Sequence, residues 1–243
     1  MYYLQSRYYN PCLCRFISED DIAFLGKGGI TSYNLYTYCG NRTVTGYDPL
    51  GTFDWSSLSK GSGWLTAGIA AICVGVSVLT CGVATPVMMA VAGVTVAAGT
   101  LTTVNGVSEI GEAVTGHNFV RDDIFDGNET AYDIYSNATA LVAEVGTAVC
   151  GGWLAKNTPR IQAYNNVENY QYTATISDSA HMSRPYASSL LTQRQVIKYG
   201  KMEVDHFGHI FSAMGTMNGG TEKLYRLGVN TTKELIFHWG HGF

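Results

Sequence analysis

Forty-eight consecutive residues, 61–108, contain no Asp, Glu, Lys, Arg or His. An ordinary water-soluble domain spends about a quarter of its residues on charge, so no usual solvated surface can be built from this stretch. Gly61-Ser62-Gly63-Trp64 opens it and Thr85-Pro86 divides it. Each half, about 22 residues at a rise of about 1.5 Å per residue, makes about 33 Å of helix, the thickness of a bilayer core. Trp64 suits an interfacial anchor, and Gly68, Gly75, Gly82, Gly93 and Gly99 let two helices approach closely. The segment is expected to be an apolar helical hairpin that inserts into a target membrane or helps cargo across it. The competing expectation is the same hairpin packed inside a larger shell. Frequent Gly, Val and Thr, which weaken helices in water and are tolerated in lipid, favour the membrane.

The rest of the chain carries its charge unevenly. Over 243 residues the net charge is −4, but residues 1–159 hold 7 Lys+Arg against 13 Asp+Glu, whereas residues 160–243 hold 8 against 6. The whole-chain balance excludes a protein that grips nucleic acid through a global basic field and leaves room for a local patch in the tail. Five of the six histidines, His181, His206, His209, His238 and His241, also lie in the tail, so groups that titrate near pH 6 concentrate there. Cys12, Cys14, Cys39, Cys73, Cys81 and Cys150 form no C-x-x-C pair and read as free thiols, with neither a disulfide framework nor a zinc ribbon.

Residues 1–51 alternate tyrosines with Gly, Asn and Pro punctuation and read as short β-strands and turns. No basic stretch leads into an apolar one at the amino terminus, so no signal peptide is expected there. Met1 opens directly onto strand-like sequence, and the chain is expected to be the carboxy-terminal piece of a longer protein. Arg7-Tyr8-Tyr9-Asn10-Pro11, Arg15-Phe16-Ile17-Ser18-Glu19-Asp20, Asn34-Leu35-Tyr36-Thr37-Tyr38 and Asp48-Pro49-Leu50-Gly51 succeed one another in order and approximate spacing. Together they resemble the end of the Rhs repeat-associated core, the last part of an Rhs/YD-repeat shell. The resemblance implies a β-cocoon enclosing a variable carboxy-terminal toxin, with Asp48, Pro49 and Gly51 marking the border. Members that cleave themselves use aspartates of two Asp-Pro-x-Gly motifs. The first reads Asp20-Asp21-Ile22-Ala23 here, so self-cleavage is not expected and Asp48 reads as a turn former.

Residues 109–160 regain charge and read as a loop followed by one amphipathic linker helix over 131–149, stopped by Gly151-Gly152. Asp122, Asp123 and Asp126 lack the spacing of a calcium loop and read as solvated carboxylates at a helix start. In residues 161–243, Ser188–Tyr199 reads as a helix ended by Gly200. Strand-like runs come next at 209–213, 215–217, 223–229 and 234–239, with Asn218-Gly219-Gly220 as a hairpin signal. The expected fold class is therefore α+β: a β remnant over 1–51, the apolar hairpin over 61–108, the linker helix region over 109–160, and a small module of one helix on a four-stranded antiparallel sheet over 161–243.

Arg184-Pro185-Tyr186, the helix, Asp205, Gly215-Thr216-Met217-Asn218-Gly219, Tyr225-Arg226-Leu227-Gly228-Val229-Asn230 and Ile236-Phe237-His238 resemble, in that order, a ribonuclease-like toxin tail found behind such shells. The resemblance implies metal-independent RNA cleavage, with RNA of a target cell as substrate and a cognate immunity protein as partner. His206-Phe207 and Gly240-His241-Gly242-Phe243 depart from its pattern. Such chemistry needs a group to move the 2′-hydroxyl proton and cations to hold the phosphate. His238 is the first choice for acid or base, and Arg184 and Lys198 are the candidates for phosphate contact. Thr216 and Asn218 are placed to orient the phosphate, and Tyr186 or Tyr225 to stack a base. The pairs His206/His209 and His238/His241 raise a four-histidine zinc site, but i and i+3 on a strand point to opposite faces, so neither metal nor cofactor is expected. The expected protein is a secreted or surface-delivered effector that acts in the cytoplasm of a competing cell. Its rivals are a non-enzymatic toxin acting through the hairpin at 64–107 and an inactive displaced cassette.

Overall fold

The computed structural model describes residues 1–22, 25, 33–41, 43, 44, 48, 51, 55–115, 117–173, 190–215 and 222–242. Its class is α+β, and packing divides the chain into two units, residues 1–76 with 91–148 and residues 77–90 with 149–243.

In the first unit, β1 (Tyr2–Leu4), β2 (Arg7–Asn10) and β3 (Arg15–Phe16) form a small antiparallel sheet, with Tyr2 opposite Tyr9 and Tyr9 opposite Phe16. Its core is a knot of Phe16, Tyr38 and Cys39, with the Tyr9 ring 4.1 Å from that of Tyr38. Two long helices come next, α1 (Trp55–Thr80) and α2 (Pro86–Thr115). Thr85 and Pro86 start α2: the Met88 N–H donates to Thr85 Oγ1 at 3.3 Å, and proline occupies the first helical position, where its missing N–H costs nothing. Both helices outrun the charge-free stretch, because Lys60, Glu109 and Glu112 find partners at the helix ends.

The α1–α2 interface keeps a seven-residue step. Gly61 faces Gly106, Gly68 faces Gly99, and Gly75 faces Ala92 and Val96, so the two helices run antiparallel. A Cβ on Gly68 would stand 2.6 Å from the Gly99 carbonyl oxygen, and one on Gly106 would stand 2.7 Å from that of Gly61, so only glycine permits this approach. Gly93, in contrast, faces open space. The third helix, α3 (Glu129–Asn166), meets α2 through equally small groups: Ala143 packs with Ala98 and Ala71, Gly146 lies against Thr95, and Asn105 Nδ2 donates to Thr139 Oγ1 at 3.2 Å. Thr95, Thr102 and Thr103 donate their hydroxyls to carbonyls one turn back, which leaves their methyl groups for packing. The large apolar side chains point outward: Ile69, Val94, Leu101, Leu141 and Val145 are all exposed.

α3 corrects the expected linker helix. Gly151-Gly152 does not stop it, and it runs 38 residues with Pro159 inside. Neither glycine adopts the positive φ of a helix-ending cap, and two interior glycines cost about 2 kcal/mol, whereas ending the helix there would orphan four carbonyls. The expected boundaries at 108/109 and 160/161 therefore fall inside α2 and α3.

In the second unit, β4 (Gln171–Tyr172), β5 (Lys201–Asp205), β6 (Gly208–Gly215), β7 (Lys223–Asn230) and β8 (Leu235–Gly242) form one sheet in the order β4-β8-β7-β6-β5. An antiparallel meander of four strands, β5 to β8, is present as expected in number but not in membership, and β4 adds a short parallel edge. The separate runs expected at 209–213 and 215–217 are replaced by the single strand β6, with Thr216 and Met217 outside the described residues. β5 went unread because Lys201, Glu203 and Asp205 are poor strand formers, but on a sheet edge charge is tolerated. The helix α4 (Leu190–Tyr199) packs Val196 and Ile197 onto Phe211 and Leu227, together with Ala163, Val167 and Tyr170 from the end of α3 and the turn after it. Gly200 ends α4, and Arg160 closes it by donating to the carbonyls of Lys198 at 3.1 Å and Gly200 at 2.8 Å.

Candidate functional site

Strand alternation gives the terminal sheet two unlike faces. Phe211, Tyr225, Leu227, Val229 and Ile236 face α4 and form the core. On the other face, Lys201 stands opposite Ser212, Ser212 opposite Arg226, and His238 opposite Gly228. His238 is exposed, and Arg226 is its diagonal neighbour across β7 and β8, a spacing of about 7–8 Å between Cα atoms. Lys201 pairs with Glu203 at 2.9 Å, and that bond, reinforced by Arg226, holds the Glu203 carboxyl below the ordinary range. At the turn end, Phe237 lies over Gly208 and Gly228, with its ring 6.0 Å from that of Phe207.

The candidates named from sequence therefore separate. His238 lies on the open face, while Lys198 belongs to α4, which packs on the other side of the sheet. Tyr225 is 7 % exposed, with its ring 6.5 Å from Trp239, and offers no face to a base; position 225 shares the core side with Leu227 and Val229. Arg184, Tyr186, Thr216, Asn218 and Pro49 lie outside the described residues. Of the histidine pairs, His206 sits in the β5–β6 turn, His209 stands opposite core-facing Val229, and His238 lies on the opposite face. Arg226 and Lys201 were not singled out from sequence; the alternation of buried and exposed residues along β7 was the signal that could have found Arg226.

Asp48 and Gly51 lie against the first sheet. The Gly51 N–H donates to Asp48 Oδ1 at 2.7 Å, and Gly51 needs its φ of +76° and its lack of a side chain because the β1–β2 turn fills the space. Arg7 joins the strands to Asp48 and Gly51. Its guanidinium lies 2.8 Å from Asp20 and 3.9 Å from Asp48, donates to the carbonyls of Gly51 and Leu35, and stacks 3.6 Å from the centre of the Phe16 ring. Burial pushes the Asp20 carboxyl above the usual range, against the pull of Arg7, and lowers the Arg7 guanidinium against the pull of both carboxylates. One guanidinium thus bridges two aspartates and ties Asp48 and Gly51 to β2.

A second polar cluster was not foreseen. Lys60 at the start of α1, Glu109 and Glu112 at the end of α2, the turn at 117–125 and Tyr132 at the start of α3 meet in one network. Lys60 Nζ lies 3.2 Å from Glu109 Oε1 and 3.7 Å from Asp133 Oδ1, and 4.7 Å above the Trp64 ring. Tyr132 donates its hydroxyl to Glu109 at 2.8 Å, and Asn118 Nδ2 donates to Glu112 at 2.9 Å. Arg121 pairs with Glu112 at 2.7 Å and Asp122 at 2.8 Å. Burial alone would lower the Arg121 guanidinium, but its bonds to Asp122 and Glu112 outweigh that and raise it above its ordinary value. Asp122 is thus a partner of Arg121, not a solvated helix-start carboxylate, while Asp123 and Asp126 are exposed as expected. The glutamates at 109 and 112 followed by a lone Arg121 were the available signal, and only folding shows that the turn brings them together.

The sequence matches no protein-family model and no curated protein, and no solved structure matches the chain.

Proposed function

We propose that this chain is the carboxy-terminal, membrane-engaging part of an Rhs-type toxin, whose apolar helices meet a target bilayer and whose α+β module is the cargo. The observation that carries this reading is an inverted helix pattern. Small and polar side chains fill the contacts between helices, and large apolar ones face out, the reverse of a helical bundle made for water. Three helical stretches, 57–80, 86–114 and 129–169, are long and apolar enough to cross a membrane, and only 22 %, 28 % and 11 % of their most apolar stretches are buried. An exposed apolar area of this extent marks a lipid or protein interface. The Rhs shell supplies the delivery context by resemblance. The test is flotation of the purified chain with vesicles of phosphatidylcholine and phosphatidylglycerol. The chain is expected to rise with the lipid at high salt; if it stays at the bottom of the gradient, the membrane reading is wrong.

One observation favours RNA cleavage by the cargo: the face of the sheet that bears His238, Arg226 and Lys201 has no described element packed over it. Residues 160–243 expressed in a bacterial host should fragment total RNA, and His238→Ala should abolish the fragments. Intact RNA with the unaltered tail would remove this activity and leave the membrane-acting or inactive readings.

A further inference from the structure

The register of β8 on β7 slips once. Gly228 stands opposite His238 and Val229 opposite Ile236, which leaves Phe237 as the extra residue of a β-bulge. Such a bulge interrupts strand alternation and turns two successive side chains to one face. A Cβ on Gly228 would stand 2.7 Å from the Phe237 ring and 2.8 Å from His238 Cβ, so both side chains lie over the same glycine. Gly228 alternates with core-facing Leu227 and Val229, and the face that Phe237 and His238 share is therefore the open one. Regular pairing would have sent Phe237 to the α4 side of the sheet.

The ring beside the histidine has an aromatic neighbour. Phe207, in the β5–β6 turn, is 69 % exposed, and its ring meets that of Phe237 at 6.0 Å and 52°, a tilt that leaves a face of Phe207 uncovered. The turn that carries it is held in place. Asn230 Nδ2 donates to the Phe207 carbonyl, while Asn230 Oδ1 accepts the N–H groups of Thr232 at 3.2 Å and Lys233 at 2.9 Å. A ring positioned in advance loses little freedom when a ligand settles on it. On the other side of His238 the strand is bare. Gly240 stands opposite Arg226, and among the described residues a Cβ on Gly240 would meet only His238 Nε2, at 3.9 Å. Glycine inside a strand weakens it and marks a place where a ligand can come close to the backbone. Over three residues of β8, about 10 Å, the face thus offers a stacking surface, an imidazole and an open floor beside a guanidinium.

Charge alone does not make this face a polyanion site. Lys201 pairs with Glu203 at 2.9 Å, and Asp205 shares their side of β5. Affinity must come largely from stacking, which is worth as much for every base because each has a π face. A base inside a duplex is covered by its neighbours, whereas an unpaired base can lie on a protein ring. We propose that Phe207 and Phe237 form a base-stacking subsite beside His238, with Arg226 at the adjoining phosphate, and that the substrate is single-stranded RNA. The proposal rests on the reading of the α+β module as an RNA-cleaving cargo.

The purified full chain, in mild detergent, is titrated into a fluorescein-labelled RNA of about ten nucleotides, alone or annealed to its complement, and binding is read by fluorescence anisotropy. Methylation of the 2′-hydroxyls keeps this RNA from being cut. The single strand should bind about 5- to 150-fold tighter than the duplex, the worth of one stacked base. Phe207→Ala removes a ring that lies mostly in solvent and should bring single-strand binding down towards the duplex value, with an unchanged circular dichroism spectrum. Phe207→Tyr keeps a ring and should bind as the unaltered chain does. Equal affinity for single strand and duplex, an unaltered affinity in Phe207→Ala, or a tyrosine variant as weak as the alanine one overturns the stacking subsite. Fragmentation of unmodified total RNA by the same preparation then leaves the RNA-cleaving reading standing. If neither form of the RNA binds and total RNA stays intact, both fall.

Discussion

Gly68 and Gly99 permit a quantitative test of how the hairpin is held together. A Cβ on Gly68 would lie 2.6 Å from the Gly99 carbonyl oxygen and 2.7 Å from the Thr103 nitrogen, and one on Gly99 would lie 2.8 Å from the Gly68 carbonyl oxygen and 3.1 Å from the Ile72 nitrogen. These are backbone atoms, which cannot swing aside. Restoring ordinary contact at about 3.4 Å would part the helices by roughly 0.6–0.8 Å, enough to forfeit a quarter to a half of the dispersion energy of each pair across the seam. Overpacking of this kind costs about 1–3 kcal/mol, and the better helix propensity of alanine returns about 1 kcal/mol, so Gly68→Ala or Gly99→Ala should destabilise by up to about 2 kcal/mol. Gly63 and Gly93 meet nothing within 4 Å, so alanine there should stabilise by about 0.5–1 kcal/mol. Thermal unfolding in mild detergent, followed by circular dichroism, reads the difference at about 2–4 °C per kcal/mol for a chain of this size. Opposite signs for the two pairs are expected. If Gly68→Ala and Gly93→Ala both raise the midpoint by the same amount, the close approach of α1 and α2 is not real.

Arg121→Met should cost about 3–5 kcal/mol, because it leaves the buried Glu112 carboxylate without its 2.7 Å partner, and the melting midpoint in the same detergent should fall accordingly. Asn128→Ala should cost about 1 kcal/mol by removing the side chain that accepts the Ala131 N–H at 3.1 Å and caps α3; an unchanged midpoint would mean the cap contributes nothing. Carbon-13 NMR should find Asp20 titrating above an ordinary aspartate. Because folding raises this pKa, the group's contribution to stability is complete below the unfolded value and is lost as the pH rises through the folded one; a midpoint at or below the ordinary aspartate range would contradict the burial described.

The range of each interaction decides how legible it was in the sequence. The hairpin was legible because its signal is local: a charge-free run, a Thr-Pro start and two halves each long enough for a helix. Glycines at 68, 75 and 99 were legible as contact positions, whereas Gly93 reads identically in sequence and faces outward. Gly151-Gly152 misled because glycine stops a helix only where the chain takes a positive φ, and nothing in two adjacent residues says whether it will. In the tail, alternation along β7 and β8 was readable, but which alternate residues face α4 depends on the packing of Val196 and Ile197, so Tyr225 passed for a surface tyrosine and Arg226 went unnoticed. The network around Glu109, Glu112 and Arg121 was the least legible, since it joins three helix ends through a turn whose path no local rule predicts.

That network also bears on the choice between a hairpin in lipid and one stored in a shell. A shell wall can cover apolar helices of any length and in any order, and it has no need for the charges flanking α1 and α2 to gather at one end. Here Lys60, Glu109, Glu112 and Arg121 pair within one cluster, about 32–35 Å of helix away from a turn with no charge at all. The proposed membrane reading accounts for a distance close to that of a hydrocarbon core and for Trp64 beneath the Lys60 ammonium. Under the proposed reading, storage and insertion are successive states of one chain: a shell would keep the outward Ile69, Leu101 and Leu141 from water until the target membrane replaces it.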